Sequence, residues 1–152
     1  MYVDYYELPF GAQLLLWTSR IALLSNCRVS PNKYEVINIA FERAGIQKGG
    51  ILLKSFLSLI KHNKNFKFRR NCSRCLLKEE LDLINCINMH KLCYFDNKFY
   101  IELWGLESNA ILFTTNTKKL AAAFKNANLA TKINYLKYDE THNTSIFSRE
   151  LH

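Results

Sequence analysis

The sequence predicts a mainly α-helical fold, a compact bundle of four to five helices. Three observations predict it. Apolar residues recur at steps of three and four along several stretches, the period of a helix with one buried face. Only two prolines and five glycines interrupt 152 residues, which favours long regular elements. Hydrophobic residues make up 49% of the chain and aromatics 13%, enough to fill a core and too many for a disordered polymer. The expected organisation is one helical domain over residues 1–138, with a short β element as an alternative in its last third. A polar C-terminal tail, 139–152, follows.

The first helix is expected to start near Pro9, since proline suits a first helical turn. Phe10, Leu14, Trp17, Ile21 and Leu24 form its predicted buried stripe, with Trp17 at the middle, and Leu15, Leu16, Ala22 and Leu23 widen that face. Ser30-Pro31 signals a second start, and Tyr34, Ile37, Phe41 and Ala44 supply the second stripe. Gly45 followed by Ile46 reads as a left-handed helix end with its hydrophobic contact. Gly49-Gly50 then precede a third helix, with Leu53, Phe56, Leu57 and Ile60 on its apolar face and Asn63 as its stop. The stretch "FKFRR" alternates as a short strand or extended arm. A fourth helix is expected from about Leu77 to Phe95. "FYIELW" suits strand or helix, "AILFTT" reads as a strand, and Thr117 is expected to cap a short helix over "KKLAAAFKNAN".

The formal charge of +8 and pI near 9.3 point to an acidic partner such as nucleic acid, an anionic membrane surface or an acidic protein. From Lys61 to Lys78 there are seven cations and no carboxylate: Lys61, Lys64, Lys67, Arg69, Arg70, Arg74 and Lys78. Phe66 and Phe68 are interleaved with them. Clustered cations hold phosphates and aromatic faces stack bases, so the segment is a candidate nucleic-acid contact. The alternative is a solvated basic connection whose phenylalanines turn inward. The N-terminus lacks the basic region of a signal peptide, and the apolar run after Pro9 is broken by Gln13, Thr18, Ser19 and Arg20. A cytoplasmic protein with no membrane partner is expected, its five cysteines reduced or metal-bound.

"NCSRCLLKEELDLINCINMHKLC" carries four of those cysteines. On a helical wheel Cys86, His90 and Cys93 share a stripe, and Cys72 and Cys75 form a Cys-x-x-Cys. Cys72, Cys75, Cys86 and His90 are therefore candidate zinc ligands. However, Cys86 lies about 16 Å along a straight helix from Cys75, too far for one tetrahedral site unless the knuckle folds back. Three readings stand: core cysteines, structural zinc, or a redox pair beside Arg69, Arg70 and Arg74. Core packing is preferred, so no cofactor is expected, with zinc as the alternative.

"IAFERAGIQKGGILLKSF", Ile39 to Phe56, resembles the helix-turn-helix of tetracycline-repressor-type regulators. Ile39-Ala40, Ala44-Gly45-Ile46, Lys48-Gly49 and Phe56 occupy that motif's places. It departs from the pattern at Leu53, where the family has tyrosine, and in the apolar continuation through Leu57 and Ile60. The resemblance spans about eighteen residues and implies a recognition helix with Gln47, Lys48 and Lys54 facing DNA. The sequence carries no phosphate-binding glycine loop, HExxH, GxSxG or dinucleotide fingerprint, and no catalytic role is expected. The resulting expectation is a non-enzymatic regulator binding nucleic acid through the third helix and the Lys61–Lys78 segment. A protein-binding adaptor is the alternative, and a small zinc protein the third reading.

Overall fold

The computed structural model describes residues 3–23, 32–63, 66–69, 73–92 and 97–134. The expected start at Ser30-Pro31, the positions of Cys93 and Phe95, and the tail from 139 lie outside them.

Among the described residues six helices pack together: α1 (Phe10–Leu23), α2 (Lys33–Arg43), α3 (Gly49–Ile60), α4 (Lys78–Lys91), α5 (Asn97–Leu103) and α6 (Ala110–Asn126). α6 lies against both α3 and α4, while α2 packs on α1 and α3, and α1 also touches α4. Among the described residues β structure is limited to one isolated antiparallel bridge, Asp4 with Cys75. The mainly helical bundle expected from periodicity is the observed one.

The corner between α2 and α3 follows the sequence closely. Ile37 and Phe41 are fully buried and Tyr34 and Ala44 half-buried. Gly45 takes φ +93°, a left-handed conformation that costs glycine little. The Ile46 N–H then donates to Phe41 O at 2.8 Å and the Gly45 N–H to Glu42 O at 3.0 Å. These are the two bonds of a Schellman helix end, and Ile46 is buried beside them. Gly49 and Gly50 do not precede α3 but form its first turn, flush against α2. The Gly50 N–H donates to Asn38 Oδ1 at 2.8 Å. A Cβ on Gly49 would sit 2.2 Å from Phe41 Cγ and 2.5 Å from Phe41 Cβ. Alanine is the better helix former in isolation, yet the root of the Phe41 side chain cannot swing aside without moving α2. Gly49→Ala is therefore expected to destabilise the protein by about 1–3 kcal/mol, read from urea unfolding, rather than to stabilise it.

Two expectations are corrected. On α1 the predicted stripe divides: Leu14 is buried and Ile21 half-buried, but Phe10 is 60% exposed and Trp17, the middle residue, only half-buried; Leu24 lies outside the described residues. The expected flank of Leu15, Leu16 and Ala22 is buried, joined by Gly11, Ala12, Thr18, Ser19 and Arg20. Gly11, Thr18, Ser19 and Arg20 are small or polar, and apolar periodicity does not register them. The second correction concerns "AILFTT", which is the first turn and a half of α6 rather than a strand. Its β-branched residues fit because Thr114 and Thr115 donate to Ala110 O and Ile111 O at 2.8 and 2.9 Å. Thr117 is no cap; it is buried in mid-helix and donates to Phe113 O. Phe113, Thr117, Leu120, Ala121 and Phe124 bury at helical spacing, and that tertiary periodicity overrides local β preference. "FYIELW" likewise falls mostly in α5.

Candidate nucleic-acid interface

α3 is amphipathic. Gly49, Gly50, Leu53, Phe56, Leu57 and Ile60 face the core, whereas Ile51, Lys54 and the flanking Gln47, Lys48 and Lys61 are exposed. The helix contains no carboxylate. Lys48, at φ 56°, turns the chain into α3 through a left-handed conformation. Lys54 Nζ lies 5.4 Å from the centre of the Tyr34 ring on α2, and Lys33 Nζ lies 5.7 Å from the same ring. Both ammonium groups are thereby gathered at one aromatic ring.

The basic segment leaves α3 at Lys61 and has neither helix nor strand over 66–69. Lys67 and Arg69 are exposed there; Lys64 and Arg70 lie outside the described residues. Phe66 and Phe68 are half-buried, 4.8 Å apart, and Phe66 meets the Trp104 ring edge-on at 5.7 Å. They thus serve both the core and the surface. The segment is free of carboxylates in sequence but not in space. Arg74 donates to Asp4 Oδ2 at 2.7 Å and its guanidinium lies 5.3 Å from the Tyr6 ring centre. The Tyr6 N–H, helped by Arg74 and only partly opposed by desolvation, holds the Asp4 carboxyl below its ordinary value. Lys78 faces Asp82 at 3.9 Å.

Arg20 and Glu80 fix the segment's far half. Their side chains are wholly buried, with Arg20 Nε 2.6 Å from Glu80 Oε2 and Nη2 3.0 Å from Oε1. Arg20 also donates to Ser73 O at 2.7 Å and Cys75 O at 3.2 Å. Glu80 in turn accepts the Leu77 N–H at 2.8 Å and the Arg69 N–H at 3.3 Å. One buried ion pair therefore ties both ends of the 69–77 loop to α1 and α4. Sequence inspection treated Arg20 only as an interruption of an apolar run, and neither residue was among the candidates.

Where the end of α1, the start of α2, the end of α3 and the 66–68 arm meet, there is a cleft of about 370 Å³. Ala22, Leu23, Lys33, Lys61, His62, Phe66 and Phe68 line it. Lys33 is anchored there, donating from Nζ to Ala22 O at 2.7 Å, at the carbonyl end of α1 where a cation is favoured. Lys33 was missed because it joins Lys61 only through folding; His62, though next to Lys61 in the sequence, carries no formal charge to mark it.

Of the metal candidates, Cys72 lies outside the described residues and Cys75 is half-buried at the bridge to Asp4. Cys86 is fully buried, and burial first, then the Asp82 charge, pushes its thiol well above the ordinary range. Cys86 Sγ lies 4.0 Å from His90 Nδ1, which itself is 2.8 Å from Cys86 O. Among the described residues no three of His, Cys, Asp and Glu converge as a metal site, and no helix is long and apolar enough to cross a membrane. Compared with protein-family models, curated proteins and solved structures, the chain matches none of them.

Proposed function

We propose that this protein binds nucleic acid, with the outward face of α3 and the adjoining basic segment as its contact surface. The observation that carries the reading is the one-sided charge of α3. Lys48, Lys54 and Lys61 stand exposed on or beside a helix without carboxylates, whose opposite face is buried against α2 and α6. Cations presented from a rigid helix release counterions on meeting phosphates, and Gln47 at the helix entrance is a side chain suited to reading an adenine edge. Exposed Ile51 offers an apolar contact of the kind that meets a thymine methyl. Lys67 and Arg69 extend the cationic surface beyond the helix. Regulation of gene expression is the use this surface suits.

Fluorescence anisotropy on a labelled duplex tests the reading. With four phosphate contacts, affinity is expected to fall roughly 100-fold between 50 and 200 mM salt. Lys48→Ala with Lys54→Ala should make the log–log slope shallower by about two units and weaken all sequences alike, while Gln47→Ala should alter sequence preference. Absence of binding to any nucleic acid at 50 mM salt rejects the proposal.

A second reading, an adaptor for another protein, is favoured by one observation. Ile111 at 86% exposure, Leu112 at 51% and Phe99 at 53% present apolar surface around α5 and the start of α6.

A further inference from the structure

The cleft at the junction of α1, α2, α3 and the 66–68 arm has a division of chemistry that the flat face of α3 lacks. Lys33, Lys61 and His62 bring nitrogen donors to it, Phe66 and Phe68 bring aromatic carbon, and no carboxylate lines it among the described residues. We propose that this cleft seats one unpaired nucleotide of a single-stranded nucleic acid, the phosphate on Lys33 and Lys61 and the base against Phe66 and Phe68. The inference rests on the nucleic-acid reading above and adds the strand form and the residues that select it.

Four features support it. The volume of about 370 Å³ falls at the lower end of the roughly 300–1,000 Å³ range of small-ligand sites, matching one nucleotide rather than a duplex. Lys33 is held in place before any ligand arrives. One of its three N–H donors goes to Ala22 O and its ammonium lies by Tyr34, so donors remain for a phosphate. The aromatic wall is equally fixed. Phe66 is braced by Phe68 and Trp104, and the Arg69 N–H beyond it is bonded to buried Glu80. A preformed site avoids the ordering cost that flexible surfaces incur on binding. Finally, Lys61 belongs both to the end of α3 and to the cleft, and Lys33 shares the Tyr34 ring with Lys54. A backbone following α3 is therefore led into the cleft over continuous positive charge. A base must leave its pair to offer its face to phenylalanine, so the cleft selects unpaired strand.

The test uses the full chain, a labelled 12-nucleotide single strand and the matching 12-base-pair duplex, by anisotropy at 50 and 200 mM salt. The wild type is expected to prefer the single strand. Phe68→Leu should weaken single-strand binding roughly 5- to 100-fold with its salt slope unchanged, because stacking carries no charge. Lys33→Gln, at the rim rather than in the core, should reduce the single-strand slope by about 0.7. Both variants are first checked for wild-type circular dichroism. Should Phe68→Leu fail to fold, Lys33→Gln carries the test alone. Duplex binding without a single-strand preference, or single-strand binding untouched by Lys33→Gln, overturns the cleft while leaving the α3 face standing. Loss of both duplex and single-strand binding in the wild type overturns the nucleic-acid reading itself.

Discussion

Arg20→Met is expected to remove about 3–5 kcal/mol of stability, the usual consequence of stripping one partner from a buried ion pair. The Arg20 and Glu80 side chains have no exposure to water. Removing the guanidinium leaves the Glu80 carboxylate with only the Leu77 and Arg69 N–H groups, and leaves the Ser73 and Cys75 carbonyls without that donor. The uncompensated charge dominates, since desolvating a lone carboxylate costs far more than a neutral hydrogen bond returns. For a chain of 152 residues this corresponds to a fall of roughly 6–20 °C in Tm. Adding Glu80→Leu should recover part of the loss, because the remaining charge disappears together with its desolvation cost. Urea unfolding of the two single variants and the double variant measures this as a coupling energy. Additive losses would show that the two side chains stabilise the fold independently. A further consequence separates stability from binding. The 73–77 stretch should become protease-sensitive in Arg20→Met while α3 keeps its shape.

Phe113→Ala carries the second large effect, about 3–5 kcal/mol for a fully buried aromatic. Its ring lies 6.1 Å from Phe56 on α3, nearly parallel at 29°, and 5.9 Å from Trp104, edge-on at 79°. It therefore joins α6 to α3 and to the residue just after α5, and its loss opens a cavity bounded by two large rings that cannot collapse together. Trp17→Ala is the natural comparison. Reading α1 from sequence alone gives Trp17 the same 3–5 kcal/mol, but it is only half-buried and its replacement should cost distinctly less. Equal losses in the two variants would contradict this division of the core.

Whether an element could be read from the sequence depended on what its buried side chains are made of. α2 and α3 bury leucine, isoleucine and phenylalanine at helical spacing, and Gly45-Ile46 marks the end between them. Both helices and their corner were therefore readable. α1 buries Leu14, Leu15 and Leu16 beside glycine, threonine, serine and Arg20, and the place of that arginine in the interior depends on Glu80, 60 residues away. α6 begins with residues of strand-like preference whose helical register is set by α3 and α4. The candidate interface divides in the same way. Lys48, Lys54, Lys61, Lys67 and Arg69 declared themselves by charge and remain exposed. Lys33 joins them only through the packing of α2, and Asp4 approaches Arg74 only through the bridge at Cys75.

The chain beyond α6 comes back to where the first helix begins. The Ala12 N–H donates to Ala130 O at 3.2 Å, and a Cβ on Gly11 would stand 2.3 Å from that oxygen. Leu129, Thr131 and Ile133 are buried along the same stretch, with Thr131 bonded to Asn88 at 3.0 Å and the Lys91 ammonium to Leu129 O at 2.6 Å. During synthesis, then, α1 is made well before its last described neighbour, Ala130, exists. Contacts that span so much chain form slowly, so the packing of α1 is completed late. Nascent chains stalled before residue 130 should be cut by protease at α1 more readily than chains that extend past Ile133.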